Sequence, residues 1–224
     1  MKEINVGIID DDKTKRTQII SCLESGVDSA SEDVQEMYQD YILKPIELNI
    51  SGNIDYIIEQ MIDFNIDALL IDYQLTSFES VVDYTGVEVA KKADKKYLGF
   101  PVFILTSFET ELYKHEIFDP TKVFDFERYI GETKEQTELN RKIFEQYLMR
   151  KKDIEKKKRE LYDLLPNEGK SQAINDKIIE LDTFIERSLD GEAAISECSK
   201  KRLLCEENDE ILELLRKIVQ KEEI

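Results

Sequence analysis

Tryptophan is absent from this 224-residue chain, and histidine occurs once. The lone His115 has no second histidine or suitable cysteine to work with, which excludes a histidine-based metal site or a triad base; on a charged stretch it reads as a surface residue. Cysteine is scarce too. Cys22, Cys198 and Cys205 are an odd number without a CxxC spacing, so they read as reduced thiols of a cytosolic protein, and sulfur-ligated metal is disfavoured. Only four prolines and eight glycines punctuate the chain, so long uninterrupted elements are expected. No run approaches ~18 consecutive apolar residues, and the short apolar stretch near Met1 gives way directly to acids. Neither a signal segment nor a membrane span is expected, and the expected location is cytoplasmic. No glycine loop of the P-loop or dinucleotide type occurs either.

What the chain has in excess is negative charge, −18 in all, and it is unevenly placed. Residues 1–133 hold 12 Lys/Arg against 27 Asp/Glu, while the remainder holds 19 against 22. An acidic first region repels a phosphate backbone, so nucleic-acid binding there is disfavoured. Hydrophobic residues at 41% supply an ample core, but 36% charged residues point to a solvated helical portion.

Over the first 130 residues, apolar runs alternate with amphipathic stretches. The runs are 4–10 (INVGIID), 45–50, 67–72 (DALLID), 101–106 (PVFILT) and 123–126 (VFDF). Helical patterns fill the gaps at 13–23, 54–64, 85–94 and 109–118. This alternation predicts βαβ units and a doubly wound, five-stranded parallel sheet covered on both faces. After Gly131 the pattern becomes helical. Thr133, with Gln136 three residues on, offers a capping box for a helix reaching about Leu165. Its stripe is Leu139, Ile143, Tyr147, Ile154 and Leu161, and the basic run 150–159 contributes only Ile154. That run reads as a solvated face. PNEG (166–169) marks a turn, and further helices are expected over 171–189 and 192–221. The expected division is a domain at 1–133 and a helical hairpin or bundle at 134–224, completed by a second subunit or a helical partner.

The acids follow the first strand as Asp10, Asp11 and Asp12. Asp72 ends the third run, Thr106 the fourth, and Arg128 follows the fifth. In a doubly wound sheet, these strand ends share one edge, where ligands bind. With strands one and three adjacent, Asp10, Asp11 and Asp72 come within reach of one hard divalent cation with oxygen ligands, Mg²⁺ above all. The plainer alternative is a solvated cap for the next helix.

In IIDDDKTKR, LLIDYQL, TGVEVAKK and FILTSFE, in that order, the first 133 residues resemble the receiver domain of two-component response regulators. The resemblance implies a flavodoxin-like strand order of 2-1-3-4-5. It implies that Asp72 accepts a phosphoryl group from a histidine kinase or similar donor. It also implies that Asp10, Asp11, Asp72 and the main-chain carbonyl of Gln74 hold Mg²⁺, and that the Thr106 hydroxyl meets the phosphoryl group. Such chemistry modifies the protein itself; no enzyme acting on a separate substrate is implied. The sequence departs from the family pattern in three places. Arg128 stands where a lysine is usual at the end of strand five, and Lys122 lies at that strand's other end. Residues 28–43 and 75–85 are longer links than usual. Two functions stay open. One is a phosphorylated receiver with a helical interaction module as output, and the other is a pseudo-receiver adaptor or scaffold that phosphate does not switch. A hydrolase using Asp72 has little support, because no general acid–base is evident nearby.

Overall fold

The computed structural model describes residues 1–50, 52–75, 82–107, 119–189 and 194–202. Five strands form one sheet: β1 (Lys2–Ile9), β2 (Tyr41–Glu47), β3 (Ala68–Asp72), β4 (Val102–Thr106) and β5 (Val123–Asp125). All are parallel, in the order β2-β1-β3-β4-β5. The β-branched and aliphatic runs explain the placement, since every residue of β3 and β4 is buried. Such two-sided burial is the signature of strands covered by helices on both faces.

Helices α1 (Lys13–Glu24), α2 (Glu32–Tyr38), α3 (Ile54–Asp63) and α4 (Gly86–Lys96) connect successive strands. Helix α2 occupies the long link at 28–43. The expected helix at 109–118 and the link residues 76–81 lie outside the described residues. After β5 come a short helix, α5 (Phe126–Gly131), and a long one, α6 (Thr133–Leu164). Two apolar layers result. One, with Ile57, Ile58, Val89 and Ala93, fills the space under α3 and α4. The other joins α1 (Ile19, Leu23) to Phe103, Tyr129, Leu139, Ile143 and Phe144. Tyr38 of α2 stacks on Phe144 at 4.8 Å.

The compact α/β unit therefore runs to Lys151, and the second unit from Lys152. The division falls within α6 rather than at 133/134, because Leu139, Ile143 and Phe144 are at most 2% exposed in the sheet's own core. Each such side chain contributes roughly 1.5–3 kcal/mol by leaving water, so the sheet needs this helix. The expected capping box at Thr133 does not form. Gln136 N–H instead donates to Glu132 O, and the Gln136 side chain reaches Cys22 O at 3.1 Å and the Ser25 hydroxyl at 2.5 Å.

In the second unit, α7 (Gln172–Leu189) returns alongside the end of α6. Lys157 lies over the Phe184 ring at 5.5 Å and Lys177 is 3.9 Å from Glu160, an antiparallel pairing. Ile154, Ile178, Leu181 and Ile185 are buried there. A helical segment at 197–202 follows, and Lys200 pairs with Asp182 and, at 2.8 Å, with Glu186. The remainder of the expected 192–221 helix is outside the described residues. Among those described, no helix is long and apolar enough to cross a membrane.

Candidate functional site

Parallel register brings the acids together. Ile9 is level with Ile71, so the next residues, Asp10 and Asp72, end neighbouring strands at one height. Asp72 is in turn level with Leu105, the residue before Thr106. Strand lengths, set by their apolar runs, thus deliver four polar groups to the sheet's carboxyl edge. Asp10, Asp11, Asp72 and Thr106 are all buried, at 2%, 2%, 6% and 0% exposure. A carboxylate oxygen from each of Asp10, Asp11 and Asp72 lies within 4.8 Å of the others.

The third acid has a different task. Asp12 is the N-cap of α1, its carboxylate accepting from Thr14 N–H at 2.7 Å. The capping alternative is therefore right for Asp12 alone. Asp10 accepts from the backbone N–H of Asp12 at 2.7 Å, which fixes its orientation. Arg16 donates to the main-chain carbonyl of Asp10 at 2.7 Å and pairs with Glu47 at 2.7 Å, tying α1 to β2 at the rim. A cleft of about 210 Å³ opens beside Asp10 and Asp11, bounded by Arg16, Glu47 and Asn49.

Gly86, the first residue of α4, closes the floor of the site. Its N–H donates to Tyr73 O at 3.0 Å, and a Cβ there would lie 2.0 Å from the Asp72 carbonyl oxygen. Only glycine allows that approach. Thr85 and Glu88 complete a capping box at the same helix start.

The electrostatics are those of carboxyl groups held out of water. Burial pushes the Asp10 carboxyl from its ordinary 3.8 to about 7, with the negative charges of Asp72 and Asp11 adding to the rise. Burial also raises Asp72, against the pull of Lys15. The Lys15 ammonium, 3.2 Å from the Asp72 carboxylate, is raised by that partner and by Asp10, which outweigh its own burial. Burial is the main cause of both carboxyl shifts, and Lys15 offsets part of it at Asp72. Three carboxyl groups gathered at one buried edge repel one another when ionised, and a divalent cation among them would relieve that repulsion. The donor set, all oxygen, fits Mg²⁺.

Arg128 is elsewhere. It lies in α5, half-exposed, and its guanidinium pairs with Glu135 and, at 3.6 Å, with Glu132. Strand β5 ends at Asp125, whose side chain caps α5, so the chain turns into helix before position 128. Gln74 sits two residues beyond Asp72, half-buried in the connecting loop. Lys15 was not singled out from sequence. Its third position in a helix that starts beside the acids was the available signal.

No protein-family model matches the chain, and no curated protein matches it. Among solved structures it is similar to the anti-anti-sigma factor PhyR from Bartonella quintana, at 16% identity and a TM-score of 0.42, over 70% of this chain and 51% of that one. A doubly substituted form of the same protein gives 16%, 0.39, 66% and 50%. A fusion carrying a yeast trimeric coiled-coil segment gives 16% and 0.34, over 80% of this chain and 92% of that one. The chain spans about half the length of the PhyR structures. Likenesses this distant add nothing to the geometry of the sheet's carboxyl edge.

Proposed function

We propose that this protein is a receiver-like signalling protein that accepts a phosphoryl group on Asp72. The observation that carries the reading is the buried carboxylate cluster at the ends of β1 and β3, with an oxygen of each of Asp10, Asp11 and Asp72 within 4.8 Å of the others. Asp10, Asp11 and Asp72, with the main-chain carbonyl of Gln74, would hold Mg²⁺. When bound, the ion screens the repulsion between an anionic nucleophile and an anionic phosphoryl donor. An Asp72 carboxylate oxygen forms the bond to phosphorus, and the bond from phosphorus to the donor breaks, its electron pair leaving with the donor. No proton is needed. Thr106, ending the adjacent strand, supplies a hydroxyl to the new phosphoryl oxygen.

Output passes through residues 134–221 to a second copy or another helical protein. Met149, Tyr162, Leu165, Leu189 and Ile195 are exposed hydrophobics in or beside the helices described there. An acidic first region and a second region without net positive charge argue against nucleic acid as the target.

A second reading, an adaptor that phosphate does not switch, draws support from Arg128 pairing away from the site. Intact-mass measurement after incubation with Mg²⁺ and acetyl phosphate separates the two. A receiver gains the mass of one phosphoryl group, and Asp72→Asn gains none. Folded wild-type protein that gains nothing is an adaptor.

A further inference from the structure

Lys15 is anchored by α1 yet spans the sheet edge. Its ammonium is 3.2 Å from Asp72 at the end of β3 and 5.0 Å from the ring centroid of Phe126, which directly follows β5. Since β4 lies between β3 and β5, the ammonium bridges their ends across the end of β4, where Thr106 closes the strand. The position that a strand-five cation would serve is therefore filled from α1. Arg128, the strand-five candidate by sequence count, is committed to Glu132 and Glu135.

Taking Asp72 as the phosphoryl acceptor, we propose that Lys15 is the cation that binds the phosphoryl group, so that the switch is read by α1. With acetyl phosphate as donor, the Asp72 oxygen–phosphorus bond forms and the donor's phosphorus–oxygen bond breaks, the electron pair leaving on acetate. One carboxylate charge is thereby replaced by a bulkier phosphoryl anion. An ammonium on a four-carbon stem, with three freely directed donors, can follow the charge outward from the Asp72 oxygen to a phosphoryl oxygen. Asp12 caps the start of the same helix, so a pull on Lys15 acts on a well-formed first turn.

The far end of α1 has contacts that can pass the movement on. Asn140 Nδ2 of α6 donates to Cys22 O at 2.8 Å and to Gly26 O at 2.7 Å, and Gln136 Nε2 reaches Cys22 O and the Ser25 hydroxyl. Twelve residues of helix, about 18 Å at 1.5 Å each, thus connect the acceptor to the root of the long helix without passing through β5.

In the resting protein, the same ammonium competes with metal for Asp72, and this gives an effect of opposite sign to test. The full-length wild type, Lys15→Met, Lys15→Gln, Lys15→Arg and Arg128→Met are titrated with Mn²⁺ alone, and then treated with Mg²⁺ and acetyl phosphate. Loss of the ammonium is expected to tighten Mn²⁺ binding by about tenfold while slowing phosphoryl accumulation by about tenfold or more. Lys15→Arg should recover part of the rate, and Arg128→Met should match wild type. Hydrogen exchange in wild type should change on phosphorylation in α1 and around Gln136–Asn140, and not in Lys15→Gln carrying the same adduct. Lys15→Gln replaces Lys15→Met should the latter fail to fold. Phosphorylation at wild-type rate in both neutral variants, or a slow Arg128→Met instead, overturns the assignment while leaving Asp72 as acceptor. No adduct on wild type, with Mn²⁺ still bound, overturns the acceptor reading and this proposal with it.

Discussion

Two clusters of buried polar side chains lie in the α/β unit, and they are built on opposite terms. Around Asn140, which is fully buried, everything is neutral and matched. Its amide donates to Cys22 O and Gly26 O, and its carbonyl accepts from the Tyr129 hydroxyl at 3.1 Å. Every polar atom of that side chain has a partner, as folding alone demands. At the sheet's carboxyl edge three buried carboxyl groups crowd together, Lys15 pairs with Asp72, and burial raises Asp10 and Asp72. The first cluster stabilises the fold. The second buries acidic groups that folding does not need, which is where a ligand site is sought.

The largest expected effect comes from breaking the neutral cluster. Asn140→Ala takes a partner from the buried Tyr129 hydroxyl and from Gly26 O, while Cys22 O keeps the Ser25 hydroxyl and the Gln136 amide, at a cost on the order of 3–4 kcal/mol. Urea unfolding should show it, with metal binding per folded molecule unchanged. Next comes Gly86→Ala, which forces a methyl against the Asp72 carbonyl. A loss of about 2–3 kcal/mol is expected, together with weaker Mn²⁺ binding, since Asp72 must move.

Breaking the acidic cluster should do the reverse. The Asp10 carboxyl sits near 7 in the folded chain against an ordinary 3.8, so the native state holds its proton more tightly than the unfolded state. Its contribution to stability is present at low pH and is lost as pH rises from about 4 through about 7. In chelator, Asp10→Asn should remove that slope and be about 1–2 kcal/mol more stable than wild type at pH 8. Thermal melts at pH 5 and pH 8 check both statements. Arg128→Ala belongs to neither cluster; losing exposed pairs to Glu132 and Glu135 should change stability by about 0.5 kcal/mol or less.

Much of this was legible in the sequence, for a physical reason. Strands buried on both faces must be apolar throughout, so LLID and FILT announce themselves, and the acids that end the apolar runs mark the sheet edge. Asp10, Asp11, Asp72 and Thr106 were therefore found from pattern alone. Lys15 and Asn140 were not, because in a helix mid-surface polar residues look alike until the packing decides which of them is covered. For Arg128 a surface pair with a neighbouring glutamate and a place at the phosphoryl group read equally well in sequence; the structure shows the pair, since β5 stops at Asp125 and the turn into α5 redirects the side chain. The compact α/β unit reaches past 133 for a related reason. Leu139, Ile143 and Phe144 read equally well as a bundle stripe or as the cover of a sheet, and only the apolar layer they join distinguishes the two.

The central claim is that the carboxylate cluster of Asp10, Asp11 and Asp72 holds a divalent cation. Titration of Mn²⁺ into the full chain and into Asp11→Asn, followed by water-proton relaxation at neutral pH, tests it most directly. One site in the wild type, weakened by about tenfold or more in the variant, is the predicted result. No binding to the folded wild type, or equal binding to both proteins, would contradict it.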